Sequence, residues 1–153
     1  MQGNYFYSYV SQVYITLVLP EVDYLLQKVE HAILHLKVDF TPKVPHDKMR
    51  ELYMESDMVL GSFSIGQLDT VAIEAMACGR PVVHSVSRKF FKTCPLEEIE
   101  SIDEASEVIQ KLLVNKKERE QRIKTQLAYV NATHAAPFLA ERLFNIYSEV
   151  RNE

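Results

Sequence analysis

The chain has 153 residues, 47% hydrophobic and 25% charged, with a formal net charge of −4. That size and balance fit a single globular domain, residues 1–153, with a substantial core. The acidic excess argues against a nucleic-acid binder, which carries a basic surplus. The apolar runs all fall short of the roughly 18 residues a membrane-spanning helix needs.

Cys78 and Cys94 make no disulfide framework, and the N-terminus lacks the basic-then-apolar order of a signal peptide. A cytoplasmic setting is therefore expected. Asn131-Ala132-Thr133 matches the N-glycosylation triplet, but without a secretion signal it is read as chance.

Along the chain, residues 1–12 are atypical, with Tyr5, Phe6, Tyr7 and Tyr9 more apolar than a free tail. They would cover an open sheet edge or pack against a second copy. "VYITLVL" (13–19) is a continuous β-branched apolar run, as in a strand buried on both faces. Val22, Leu25, Leu26, Val29, Ile33 and Leu36 then recur at helical spacing over residues 21–37.

"VDFTPKV" (38–44) predicts a short strand bent at Pro42. "PHDKMRELYMES" (45–56) predicts a helix opened by Pro45 and Asp47, with Met49, Leu52 and Tyr53 on one face. "DMVLGSF" (57–63) predicts a strand. "LDTVAIEAMACG" (68–79) predicts a helix capped by Asp69 or Thr70 and stopped at Gly79. "RPVVHSV" predicts another strand, with a further short one near Ile99 to Ile102.

Three helices close the chain. Residues 103–115 turn Ala105, Val108, Ile109 and Leu112 inward. Residues 116–132 carry Ile123, Leu127 and Val130 as a stripe. Thr133 is placed as the cap of a last helix bearing Phe138, Leu139, Leu143, Ile146 and Val150. Strand–helix alternation of this kind implies an α/β fold: a three-layer, Rossmann-like parallel sheet with helices on both faces, closed by the C-terminal helices.

In such folds ligands bind beyond the carboxyl ends of the strands, where loops lead into helix N-termini that favour anions. "IGQLDTVAIEAMACGRPVV" (65–83) sits at such a junction. Gly66 lets the backbone approach a ligand, Gln67, Leu68 and Asp69 offer amides to a phosphate, and Glu74 follows about one turn into the helix. Two readings fit the residue types. Glu74 accepts hydrogen bonds from a pair of ribose hydroxyls, or it lies on the wet face of its helix with Gly66 serving only as a turn.

The stretch "SDMVLGSFSIGQLDTVAIEAMACGRPVV" resembles the nucleotide-sugar-binding motif of retaining GT-B glycosyltransferases, the glycosyltransferase group 1 family. "EAMACGRPVV" (74–83) reproduces that family's string, and looser likeness extends over roughly residues 13 to 150. The resemblance implies a C-terminal GT-B domain that binds a nucleoside diphosphate sugar. Glu74 would hold the ribose hydroxyls, the backbone at Gly66, Gln67, Leu68 and Asp69 would face the diphosphate, and the main chain near Val44 would meet the base. Asp57 would be structural.

Three departures accompany the likeness. Gly66 stands where many members have a second glutamate, and Asp69 stands where members with a Gly-x-x-Gly loop have the second glycine. A carboxylate there repels a diphosphate unless it turns away to cap the helix. The family's phosphate-binding Arg/Lys segment and its N-terminal acceptor domain have no counterpart in residues 1–12, so a truncated domain is expected.

The functional expectation is a glycosyltransferase-type domain that transfers sugar with a separate acceptor-binding partner domain. The alternative is a non-catalytic, degenerate glycosyltransferase fold acting as a homodimer or protein-interaction module. No residue is assigned as catalytic, and neither a cofactor nor a metal is expected. His31 and His35 share a helix face but lack a third ligand. His84 would hold a loop or reach a sugar. Arg88, Lys89 and Lys92 form either a solvated loop with an anchoring aromatic or a phosphate or partner contact.

Overall fold

A computed structural model describes the backbone of the strand Tyr14–Ile15 together with residues 44–63 and 66–151. The expected helix over 21–37, the His31 and His35 pair, the aromatic segment at Tyr5 to Tyr9 and nearly all of the 38–44 strand lie outside the described residues.

The elements are β1 (Tyr14–Ile15), α1 (His46–Glu55), β2 (Val59–Leu60), α2 (Thr70–Ala77), β3 (Val82–Val83), α3 (Ile102–Val114), α4 (Lys116–Thr133) and α5 (Ala136–Arg151). The strands pair in parallel in the order β1-β2-β3, with Val59 opposite both Tyr14 and Val82, and Leu60 opposite Ile15 and Val83. The described residues thus make a helix-rich α/β arrangement around a small parallel sheet.

β2 and β3 are shorter than the runs that predicted them, but pairing continues past their ends. The Val59 amide donates to the Pro81 carbonyl (3.0 Å), Gly61 to Val83 (2.9 Å) and Ser85 to Ser62 (3.0 Å). Beyond β3 the chain is held differently. The Ser85 hydroxyl both donates to the Ile99 carbonyl and accepts from the Ile99 amide, each at 2.9 Å. Where a strand was expected near Ile99 there is a segment without strand structure, joined to the end of β3 by the Ser85 side chain and by the Val86 amide donating to the Glu97 carbonyl (2.9 Å), and α3 already begins at Ile102.

Successive strand residues point to opposite faces, and here they feed two cores. Met58, Leu60 and Val83 pack with Ala105, Ile109, Leu112 and Leu113 of α3. Val59 and Val82 pack with Tyr53 of α1, Ala72, Ala75 and Met76 of α2, and Val130 of α4.

α4 also contributes a glutamine to this interior. Gln126 is fully buried. Its Oε1 accepts from the Val82 amide (3.0 Å) and its Nε2 donates to the Val82 carbonyl (2.8 Å). Pro81 and Val83 face β2, so Val82 points its backbone the other way, and the glutamine amide stands in for a neighbouring strand.

Helix ends follow the sequence signals. Asp69 caps α2 by accepting from the Ala72 amide (2.7 Å). Ser101 caps α3 through Glu104 (3.2 Å) and Asn115 caps α4 through Glu118 (3.2 Å). Thr133 is not a cap for α5: it is the last residue of α4, and its hydroxyl donates back to the Tyr129 carbonyl (2.6 Å).

α2 stops in a Schellman motif. The Gly79 amide donates to Met76 and the Arg80 amide to Ala75, both at 3.0 Å, with Gly79 at φ +69°. A Cβ there would touch nothing within 4 Å, so the backbone angle alone sets the cost. Gly79→Ala is expected to lower stability by about 1 kcal/mol, measured by urea unfolding.

α5 departs from its expected packing. It was expected to help close the domain with Phe138, Leu139, Leu143, Ile146 and Val150 at helical spacing, yet none of its residues is buried. Leu143, Phe144 and Tyr147 are each more than half exposed.

Candidate functional site

The loop after β2 leads into α2, which places Glu74 in the second turn of the helix, facing α1. There the carboxylate is partnered from both sides. Tyr53 donates its hydroxyl hydrogen to Oε2 (3.1 Å) and His46 places Nε2 3.1 Å from Oε1. A carboxylate only accepts, so the His46 Nε2 carries the hydrogen. The Glu74 side chain remains 30% exposed.

Tyr53 is almost wholly buried, and burial, with the adjacent Glu74 charge, raises its hydroxyl pKa well above the usual phenol value. It stays a neutral donor at every physiological pH. Cys78 and Asp69 push in the same direction, which places the α2 cap within electrostatic reach of this ring.

His46, Met49, Arg50, Tyr53, Glu74, Ala77 and Cys78 line an open cleft of about 360 Å³ between α1 and α2. Glu74 is therefore neither turned into bulk water nor sealed off. A carboxylate has about four acceptor positions, and two remain after Tyr53 and His46.

The other sequence-derived residues form a second cluster. Gly66 adopts φ +67°, and its carbonyl accepts from the Ser87 amide (2.8 Å). The Gln67 carbonyl accepts from the His84 Nε2 (2.6 Å). Leu68 packs against the core that holds α2. The Asp69 carboxylate turns back to cap the helix with Oδ1, and its Oδ2 lies 3.7 Å from the His84 Nδ1. His84 itself is fully buried, and it holds the loop through a carbonyl. Val44 is half-buried just ahead of α1 and does not border the cleft. Gly66, Gln67, Leu68 and Asp69 do not border it either.

The basic segment is mostly structural. Arg88 donates to the carbonyls of Cys94 (2.6 Å) and Leu96, Phe91 packs into the core as the anchoring aromatic, and Phe90 stays exposed under the Lys89 ammonium (5.3 Å). Among the described residues, no three His, Cys, Asp or Glu side chains gather as a metal site, and no helix is long and apolar enough to cross a membrane.

Sequence reasoning missed Tyr53 and His46 as partners of Glu74. Tyr53 was legible only as one apolar position on its helix. Their pairing joins residues 21 and 28 positions away from Glu74, and no local spacing encodes that.

The profile of a family described as glycosyl transferase-like matches residues 19–145. No curated protein and no solved structure gives a significant match. The profile match spans most of the chain and contains the whole β2–loop–α2–β3 unit that carries Glu74, so the chain belongs to the glycosyl transferase-like family.

Proposed function

We propose that this chain is a GT-B-type donor domain that binds a nucleoside diphosphate sugar, and that it transfers the sugar together with a separate acceptor-binding domain. The three-layer, Rossmann-like build that GT-B implies is part of this reading, and the two cores on opposite sides of β2 and β3 support it. The observation that carries the proposal is Glu74, held at the mouth of a cleft by Tyr53 and His46 with acceptor positions to spare.

In this reading the ribose hydroxyls donate to Glu74. The diphosphate lies over the backbone of Gly66, Gln67, Leu68 and Asp69 at the α2 N-terminus, where helix and amides favour an anion. The base lies near Val44. The Asp69 carboxylate, turned back onto the Ala72 amide, removes part of the repulsion that a free acid would impose. A two-domain arrangement supplies the water-excluded space that retaining transfer requires.

Calorimetric titration with UDP-glucose and GDP-mannose tests the reading. At least one is expected to bind. Glu74→Ala is expected to weaken binding by about 10- to 100-fold, the worth of one hydrogen bond to a charged group. Absence of heat with both sugars, or an unchanged dissociation constant in the variant, overturns it.

A second reading, a non-catalytic interaction module or homodimer, has one observation in its favour: the exposed apolar face of α5. Light scattering separates the two. A monomer that binds a nucleotide sugar supports the first, and a dimer that binds none supports the second.

A further inference from the structure

His84 sits at the carboxyl end of β3 with its ring fully buried. Its Nε2 lies 2.6 Å from the Gln67 carbonyl. A carbonyl only accepts, so Nε2 carries the hydrogen. In the neutral ring Nδ1 is then a bare lone pair. It is buried without a hydrogen-bond partner, and the nearest charged group is another acceptor, the Asp69 Oδ2 at 3.7 Å.

A buried lone pair facing a carboxylate oxygen is unfavourable even though the Asp69 side chain is 41% exposed, and a proton on Nδ1 turns that contact into a charge-assisted pair. The groups around the ring leave Asp69 as its counter-charge. β2 faces it with Gly61, which brings no charge and whose added Cβ would sit 2.1 Å from Nδ1. The loop brings the Gln67 carbonyl, and α2 brings its cap, Asp69. Asp69 is the one ion-pair partner of His84 among the described residues.

We propose that His84 is a proton-linked positioning residue: donor binding is coupled to uptake of one proton from solvent at Nδ1, which pairs with Asp69 and neutralises the only carboxylate at the α2 N-cap. This rests on the donor-site reading above. The diphosphate meets a helix end whose acid is compensated by an imidazolium beneath it. His84 touches no part of the sugar; it acts through Asp69 and through the Gln67 carbonyl it holds.

The sign follows from linkage. A diphosphate that prefers the protonated ring raises the affinity of Nδ1 for its proton in the complex. Binding is then stronger at the lower pH and weakens as pH rises. The nucleotide sugar itself is a suitable probe. Its diphosphate is a diester and lacks the terminal phosphate ionisation near pH 6 that a free nucleotide brings.

The experiment is calorimetry of the full chain with UDP-glucose and GDP-mannose at pH 6 and pH 8, in two buffers of different ionisation heat. Wild type is expected to bind roughly tenfold or more tightly at pH 6, with net uptake of up to about one proton per sugar nucleotide near neutral pH. Asp69→Asn keeps the cap acceptor. It is expected to bind at pH 8 about as tightly as wild type does at pH 6, with little pH dependence. His84→Gln is expected to flatten the profile at the weak end.

Equal affinity at both pH values in wild type overturns the inference and leaves the donor site standing. A slope that survives in Asp69→Asn overturns it likewise. No binding by any of these proteins at either pH overturns the donor-site reading, and this inference with it.

Discussion

Replacing Gln126 with leucine is expected to lower the unfolding free energy by about 3 kcal/mol, at nearly constant side-chain volume. The reason is what the change strands. The Val82 amide and carbonyl lie in the core, and both are bonded to the Gln126 side chain. A buried backbone group left without a partner costs roughly 1–3 kcal/mol, and here two are stranded together.

Gln126→Glu separates the two bonds. Its oxygen still accepts from the amide, but its second oxygen now faces the Val82 carbonyl, and a charge is buried. It is expected to be at least as damaging at neutral pH as leucine. Urea unfolding followed by far-UV circular dichroism measures all three proteins. A leucine variant within about 0.5 kcal/mol of wild type would mean that water or a neighbouring strand serves Val82 instead.

Gly61→Ala is the second large effect expected, about 3 kcal/mol and, on the proposed donor-site reading, loss of nucleotide-sugar binding. The new Cβ would lie 2.1 Å from the His84 Nδ1 and 2.9 Å from its Cγ. Overpacking a core typically costs about 1–3 kcal/mol, and this ring cannot simply swing aside. Its Nε2 is tied to the Gln67 carbonyl, so moving it drags the loop that precedes α2.

The double variant Gly61→Ala/His84→Ala makes the cause visible. Its loss of stability is expected to be smaller than the sum of the two single losses by about 1–2 kcal/mol, the non-additivity of residues in direct contact. Additive losses would place the strain in the β2 backbone instead. Binding is not expected to recover, because the loop loses its imidazole anchor.

These two sites also show which features were legible in the chain. The stop at Gly79 and a cap at Asp69 or Thr70 lie at the ends of one helix and were legible from spacing; the structure chose Asp69. The family string "EAMACGRPVV" is equally local. Thr133 misled because a hydroxyl between two helices can cap the second or bond back into the first, and here the Tyr129 carbonyl receives it. α5 misled in another way. Apolar spacing announces a face that water disfavours, but it does not name the surface that covers it.

The sequence by itself determined α1, β2, the glycine-stopped helix bearing Glu74, β3 and the helices that close the chain, because hydrophobic period, capping and φ > 0 glycines act over one or two turns, and the string "EAMACGRPVV" carried the resemblance to the family. Only the tertiary structure decided which groups meet: Tyr53 and His46 at Glu74, His84 between Gly61 and Asp69, and Gln126 against Val82. Those contacts join segments far apart along the chain. Hydrogen-bond geometry selects among many polar residues that look alike in one dimension, and packing must bring the backbone together before that selection exists.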